Sequence, residues 1–90
     1  MKAIRWTRHA LEALAEREID REVAERALGG PTPTLPGLGN RTLHVHKYHD
    51  RVLDQEMLLC VVSEDHGDEV VIVTLYKTSK IEKYLRGDTR

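Results

Sequence analysis

The chain has 90 residues, with 14 lysines and arginines against 15 aspartates and glutamates, and a formal net charge of −1. A chain of this length builds one hydrophobic core, so we expect residues 1–90 to form a single domain. The nearly neutral charge excludes a global electrostatic attraction to phosphates, and contact with nucleic acid would need a local basic patch.

The cysteine content and the apolar segments indicate where the protein resides. Cys60 is the only cysteine, so no disulfide can form within the chain. Residues 1–20 contain no apolar region of a secretion signal, and the longest apolar run, Met57–Val62, is far shorter than the roughly 20 residues of a membrane span. We therefore expect a soluble cytoplasmic protein that makes no membrane contact.

Two amphipathic helices are predicted in the first third of the chain. Thr7 is a suitable N-cap for a helix over Arg8–Arg17, whose apolar stripe must pack on another element. Asp20 is the N-cap of a second helix, which ends at Gly29-Gly30-Pro31. The segment from Gly29 to Asn40 holds all three prolines and four of the six glycines, which predicts a long surface loop.

Strands are predicted after this loop. Arg41–Tyr48 alternates apolar with polar residues, as a half-exposed strand does. Met57–Ser63 and Glu69–Tyr76 are apolar on both faces, which is typical of central strands, and Gly67 between them favours a hairpin. The capping-box pattern Ser79-Lys-Ile-Glu82 predicts a short helix that runs to Arg86.

The predicted fold is α+β. Two N-terminal helices pack on a three- to four-stranded antiparallel sheet, and a short C-terminal helical turn follows. Two short helices can cover one face of such a sheet but hardly both, so the second apolar face is left for the long loop or for another chain. The fold therefore predicts a homodimer or another protein partner.

Residues spread over nearly the whole chain carry a family resemblance. They are Trp6-x-x-His9-Ala10, Arg17-Glu-Ile-Asp20, Val23, Ala27-Leu28, Pro31 and the ending Val73-Thr-Leu-Tyr76-x-Thr-Ser79. This pattern resembles the DUF4258 family, which is placed with RelE-like toxins in the BECR group of folds. The resemblance implies a metal-independent ribonuclease toxin with an antitoxin partner, a helix-borne pair of His9 and Arg17, and a functional strand ending at Tyr76.

Metal-independent RNA cleavage needs a base for the 2′-hydroxyl, an acid for the leaving oxygen, and cations for the phosphorane. The candidate catalytic residues are His9, Arg17, Arg41, His46 and Tyr76. The candidate RNA-binding residues are Lys47, Lys77 and Lys80. We expect an endoribonuclease or RNA-binding protein that uses no cofactor. The same side chains also fit structural roles, as helix-end, cross-strand or solvated groups.

Three other functions compete with this hypothesis. The first is a catalytically silent domain that pairs with itself or a neighbour, favoured by the neutral charge and the doubly apolar strands. The second is a metal site at His44 and His46, which share a strand face, completed by His49, Asp50 or Asp54. The third, a DNA-reading helix-turn-helix, is disfavoured because its recognition helix would be short and acidic.

Overall fold

The computed structural model describes residues 3–29, 34–36 and 39–80. Within them the chain forms two helices and five strands. In chain order these elements are β1 (Ala3–Trp6), α1 (Arg8–Glu16), α2 (Arg21–Gly29), β2 (Thr34–Pro36), β3 (Arg41–Asp50), β4 (Gln55–Asp65) and β5 (Glu69–Thr78). The two predicted helices and the three predicted strands are confirmed, and β3, β4 and β5 extend beyond their predicted bounds.

The five strands form one mixed sheet in the order β1-β5-β4-β3-β2. Neighbouring strands are antiparallel except β1, which pairs parallel with β5. The predicted fold class is therefore wrong in its sheet, which has five strands and is not purely antiparallel. It is also wrong in its order, because a strand precedes the helices.

Both missed strands are short and lie at the sheet edges. β1 has four residues and β2 has three, too few for an alternation pattern to show. β1 also finds its partner far along the chain, since Ile4 pairs with Val70. β2 lies inside the segment predicted as a surface loop, where Leu35 pairs with Leu43. The predicted C-terminal helix from Ser79 to Arg86 falls mostly on residues outside the described part.

α1 is tied to the sheet at its start and closed by a capping motif at its end. The Thr7 hydroxyl accepts a hydrogen bond from Ala10 N at 3.1 Å and donates to Ile72 O at 2.9 Å. After the helix, Ile19 N donates to Leu14 O and Glu18 N to Ala15 O, which is the Schellman pattern. Glu18 occupies the left-handed position that glycine usually takes, with φ of 53°.

The main core lies between the two helices and one face of the sheet. It is built from small helix residues and larger strand residues: Ala10, Ala13, Leu14, Ile19, Val23, Ala24, Ala27, Leu59, Val61, Ile72 and Leu75. Alanines on both helices bring the helix backbones close to the sheet. The predicted stripe of α2 is buried at Val23, Ala24 and Ala27. That of α1 is only partly right, because Leu11 and Ala15 are exposed and Ala13 is buried instead. Trp6 packs on this core, and the Arg21 guanidinium carbon lies 5.0 Å from its ring centroid.

The polar face of β3 points toward the helices. Tyr48 packs on the main core, and His46 and His44 share its face by strand alternation. β3 is half-exposed, as predicted, with Arg41, Lys47 and His49 exposed, but its histidine face is directed at the helices and not at solvent. Burial of one face by the helices leaves His44 and His46 only partly accessible.

The opposite face of the sheet is buried at its centre. Val45, Leu58 and Cys60 on that face are at most 1% exposed in the single chain. A partner is therefore not needed to cover these three positions. Among the described residues, no helix is both long enough and apolar enough to cross a membrane.

Candidate functional site

Two turns meet at one end of the sheet. The α1–α2 turn contributes Glu18 and Asp20, and the β3–β4 turn contributes Arg51, whose Nη2 donates to Asp20 Oδ2 at 3.1 Å. Between them lies a cavity of about 270 Å³ lined by Glu18, Asp20, Tyr48, Asp50, Arg51 and Val52. We call this region the two-turn site.

Asp50, which is 2% exposed, is the centre of the two-turn site. Its Oδ2 accepts hydrogen bonds from Lys77 Nζ at 2.7 Å and from Tyr48 Oη at 2.9 Å. Its Oδ1 accepts from the backbone N–H groups of Val52 at 2.9 Å and Leu53 at 3.0 Å. Lys77 Nζ also donates to Glu18 O at 3.3 Å, so one lysine links β5 to the end of β3 and to the α1–α2 turn.

The protonation states at Asp50 follow from these contacts. Burial by itself raises the pKa of the Asp50 carboxyl, but hydrogen bonds from Lys77, Leu53 N and Tyr48 outweigh it and hold the pKa well below its usual range. Burial, the hydrogen bond to Asp50 and the nearby carboxylates raise the pKa of the Tyr48 phenol. At neutral pH the site thus holds a carboxylate and a neutral phenol.

Both turns of the site contain a residue with left-handed backbone. Glu18 in the α1–α2 turn and Asp54 in the β3–β4 turn each have φ of 53°. They are the non-glycine residues with positive φ among those described. Positive φ is sterically unfavourable for residues other than glycine, although aspartate tolerates it better than most. Local strain is therefore concentrated at the two-turn site.

The β3–β4 turn exposes two neighbouring apolar side chains. Val52 is 58% exposed and Leu53 is 49% exposed. Their backbone N–H groups are the two that Asp50 Oδ1 holds, so the turn has a defined conformation under its apolar surface. Arg51 and Asp54 flank the pair in the sequence. We call Val52 and Leu53 the apolar tip.

His46 lies beside the two-turn site on the same strand face as Tyr48. The two rings are stacked, with centroids 6.5 Å apart and planes 9° apart. Burial and the charge of Arg26 lower the pKa of His46, so its imidazole is neutral at pH 7. A second cavity of about 240 Å³ lies nearby, lined by Asp20, Glu22, Val23, Arg26, His49 and Arg51.

The five predicted catalytic residues do not converge. His9 and Arg17 are eight positions apart on and just after α1, or about 12 Å along its axis. His9 Nε2 lies 3.1 Å from Thr74 Oγ1, while Arg17 Nη1 lies 3.5 Å from Leu75 O. Both residues therefore contact β5, at the consecutive residues Thr74 and Leu75.

Arg41 and Tyr76, two further predicted catalytic residues, lie away from His46. Arg41 begins β3, about 17 Å along the strand from His46, and its Nε donates to Glu64 Oε2 at 2.9 Å. Tyr76 pairs across the sheet with Cys60, on the face opposite the helices. Burial raises the pKa of the Cys60 thiol, and a hydrogen bond from Tyr76 opposes that shift.

The predicted RNA-binding lysines are also dispersed. Lys77 is largely buried and forms an ion pair with Asp50. Lys47 is exposed and lies 3.5 Å from Glu56, and Lys80 is exposed at the end of β5. No common basic surface joins these three lysines.

The histidines of β3 contact different partners. His44 Nε2 lies 2.9 Å from Ser63 Oγ, and His49 Nε2 lies 3.0 Å from Asp54 Oδ1. Burial lowers the pKa of His44. In the part of the chain that the structure describes, no group of three or more His, Cys, Asp and Glu side chains is placed to hold a metal ion.

Sequence reasoning did not identify Asp50 as the centre of a site. The available signal was the alternation in β3, since Asp50 continues the series of His44, His46 and Tyr48 on one face. An aspartate on that face, directly before an apolar turn, indicates a buried carboxylate that holds turn N–H groups. Its lysine partner comes from β5, which no local pattern in β3 reveals.

The chain matches no protein-family model, no curated protein and no solved structure. The resemblance to the DUF4258 family therefore stays a prediction.

Proposed function

We propose that this chain is a catalytically silent protein-interaction domain that docks through the apolar tip. The observation that carries the proposal is the exposure of Val52 and Leu53, at 58% and 49%, on a turn fixed from below by buried Asp50. Adjacent exposed apolar side chains on an ordered turn are typical of binding surfaces, since they lose little conformational entropy when a partner covers them.

The support beneath the tip strengthens this proposal. Taking Asp50 and Lys77 out of water has a large desolvation cost, which their ion pair and hydrogen bonds offset. An apolar pair at these positions would often be equally stable, so stability alone does not account for buried charges here. The carboxylate gives something that an apolar side chain lacks, because it fixes the direction of two backbone N–H groups and hence of the tip.

RNA cleavage is the second candidate function. It is favoured by His46, a neutral imidazole that lies near the charge of Arg26. The Arg26 guanidinium forms no ion pair with the described residues. Against it stands the separation of His9, Arg41 and Tyr76 from that imidazole. A docking domain leaves single-stranded RNA intact, whereas cleavage that is lost in the His46→Ala variant would favour the ribonuclease.

Site-specific photo-crosslinking tests the docking proposal. A photoreactive phenylalanine analogue is incorporated at Leu53 in the full chain, which is expressed in its native host and irradiated. The matched control carries the same analogue at Leu11, an apolar residue of α1 that is 44% exposed. We expect a discrete cross-linked protein from position 53 and none from position 11. Equal labelling at both positions, or no product from position 53, would contradict the proposal.

A further inference from the structure

The order of residues in the β3–β4 turn suggests what covers the apolar tip. The turn reads Arg51-Val52-Leu53-Asp54, a cation and an anion on either side of two apolar residues. All four residues are exposed. When two copies of such a turn meet in opposite directions, the cation of each lies opposite the anion of the other.

Resting on the proposed docking function, we propose that the apolar tip binds the same turn of a second copy of this chain, around a two-fold axis. A two-fold axis places Val52 opposite the partner's Leu53 and Arg51 opposite the partner's Asp54. Each contact then occurs twice, as an isologous interface requires. The turn is therefore complementary to itself in both apolarity and charge.

The intramolecular ion pairs leave room for these contacts. Arg51 uses Nη2 on Asp20, and a guanidinium carries five N–H donors, so others remain for a carboxylate of the second copy. Asp54 binds His49 through Oδ1, and its Oδ2 makes no hydrogen bond to a described residue. Both charged side chains are mostly exposed, at 81% for Arg51 and 90% for Asp54.

The size of the surface sets the expected affinity. Two four-residue turns bury much less than the roughly 1,200 Å² of total area that stable interfaces reach. The dimer is therefore weak and in rapid exchange, and it forms at high protein concentration. The sheet face opposite the helices offers no larger apolar interface at Val45, Leu58 and Cys60, because the single chain already buries these three residues.

Charge reversal in sedimentation experiments tests the two-fold arrangement. Arg51→Glu gives a turn with two acidic ends, and Asp54→Lys gives one with two basic ends. Each variant alone places like charges opposite each other, so we expect its dimer dissociation constant to rise at least tenfold, or about 1.4 kcal/mol. An equimolar mixture restores opposite charges at both contacts, and we expect it to associate at least as well as the original chain.

The controls separate this inference from loss of folding. Arg8→Glu reverses an exposed charge on α1, which pairs with Glu12, and should leave the association unchanged. Asp54→Asn removes the charge with a residue that tolerates positive φ, and should weaken the dimer without reversing the contact. Far-UV circular dichroism and thermal melts of each variant verify that it is folded.

The outcomes distinguish the inference from the proposed function. A chain that stays monomeric at about 1 mM, a range in which weak complexes form, would overturn self-pairing. So would a mixture that associates no better than its components. If position 53 cross-links to a different protein while the chain is monomeric, the docking function holds and the second copy is excluded as occupant. If it cross-links to nothing, both proposals fail.

Discussion

At the scale of single residues, Asp50 links several parts of the fold. Through its two oxygens it joins β3, the β3–β4 turn and Lys77 of β5, and through Lys77 it reaches the α1–α2 turn. Such a buried and fully bonded carboxylate stabilises one arrangement of the chain over its neighbours. The apolar tip depends on that arrangement.

We expect Asp50→Ala to destabilise the protein by about 3–5 kcal/mol, because it leaves Lys77 buried and unpaired and frees two turn N–H groups. The measurement is urea unfolding of both proteins followed by circular dichroism. Glu64→Ala is the matched control, since it removes a carboxylate from the surface pairs with Arg41 and His66, and should cost much less than Asp50→Ala. Similar costs for the two variants would show that Asp50 is not a buried anchor.

At the scale of elements, the α1–α2 turn shows how a local motif positions the site. The Schellman motif directs the chain back toward the sheet, placing Ile19 in the core and the Glu18 carbonyl against Lys77. Asp20 precedes α2, as its predicted N-cap should, but its carboxylate binds Arg51 of the other turn. One turn thereby caps a helix and closes the cavity.

Glu18→Gly should raise the free energy of unfolding by about 0.5–1 kcal/mol, because glycine adopts the positive φ of this position without steric cost. Thermal and urea unfolding measure the change. Glu16→Gly, two residues earlier in the last turn of α1, should instead destabilise by about 1 kcal/mol, since the backbone there is helical. A loss of stability in Glu18→Gly would mean that its side chain contributes more than its backbone costs.

The elements that sequence could predict are those with a repeated local pattern. Helices α1 and α2 have an apolar stripe and end signals, and β4 and β5 have long apolar runs. β1 and β2 lack such a signal because they are too short, and β1 is defined by a parallel partner more than 60 residues away. Local patterns also could not tell that the helices pack on the histidine face of β3, so this face was assigned to solvent.

The candidate site was harder to predict for the same reason. His46 and Lys77 were both named as functional, and they lie on the same row of the sheet, each paired with Leu59. Their spatial relation depends on strand order and register, which a single sequence does not contain. Composition contributed one constraint that stays a prediction, since an almost neutral chain would need a local basic patch to bind RNA.

At the scale of the whole molecule, the sheet joins two environments of different polarity. One face carries the main core and the two-turn site, and the other buries Val45, Leu58 and Cys60. β4 is the central strand and contributes to both faces. Because the polar groups of β3 face the helices, the global stability depends on the protonation of groups inside the fold.

The stability of the whole fold should therefore fall in two steps as the pH is lowered. Burial lowers the pKa of His44 and His46, so in the unfolded chain these residues bind protons first, near pH 6.5. Stability is full above about pH 6.5 and declines below it, until the folded-state pKa values are reached. Asp50 also has a lowered pKa, and its contribution declines below about pH 4, the ordinary value of an aspartate.

Urea midpoints measured between about pH 7.5 and pH 3 test both steps. The double variant His44→Gln and His46→Gln should flatten the first step and keep the second. Asp50→Asn should do the reverse, from a lower starting stability. Histidine titration by NMR gives an independent check, with midpoints for His44 and His46 below about 6.5. Titration midpoints at or above that value would mean that the helices leave the histidine face of β3 open to water. The cavity beneath the apolar tip, which adjoins this face, would then be open to water as well.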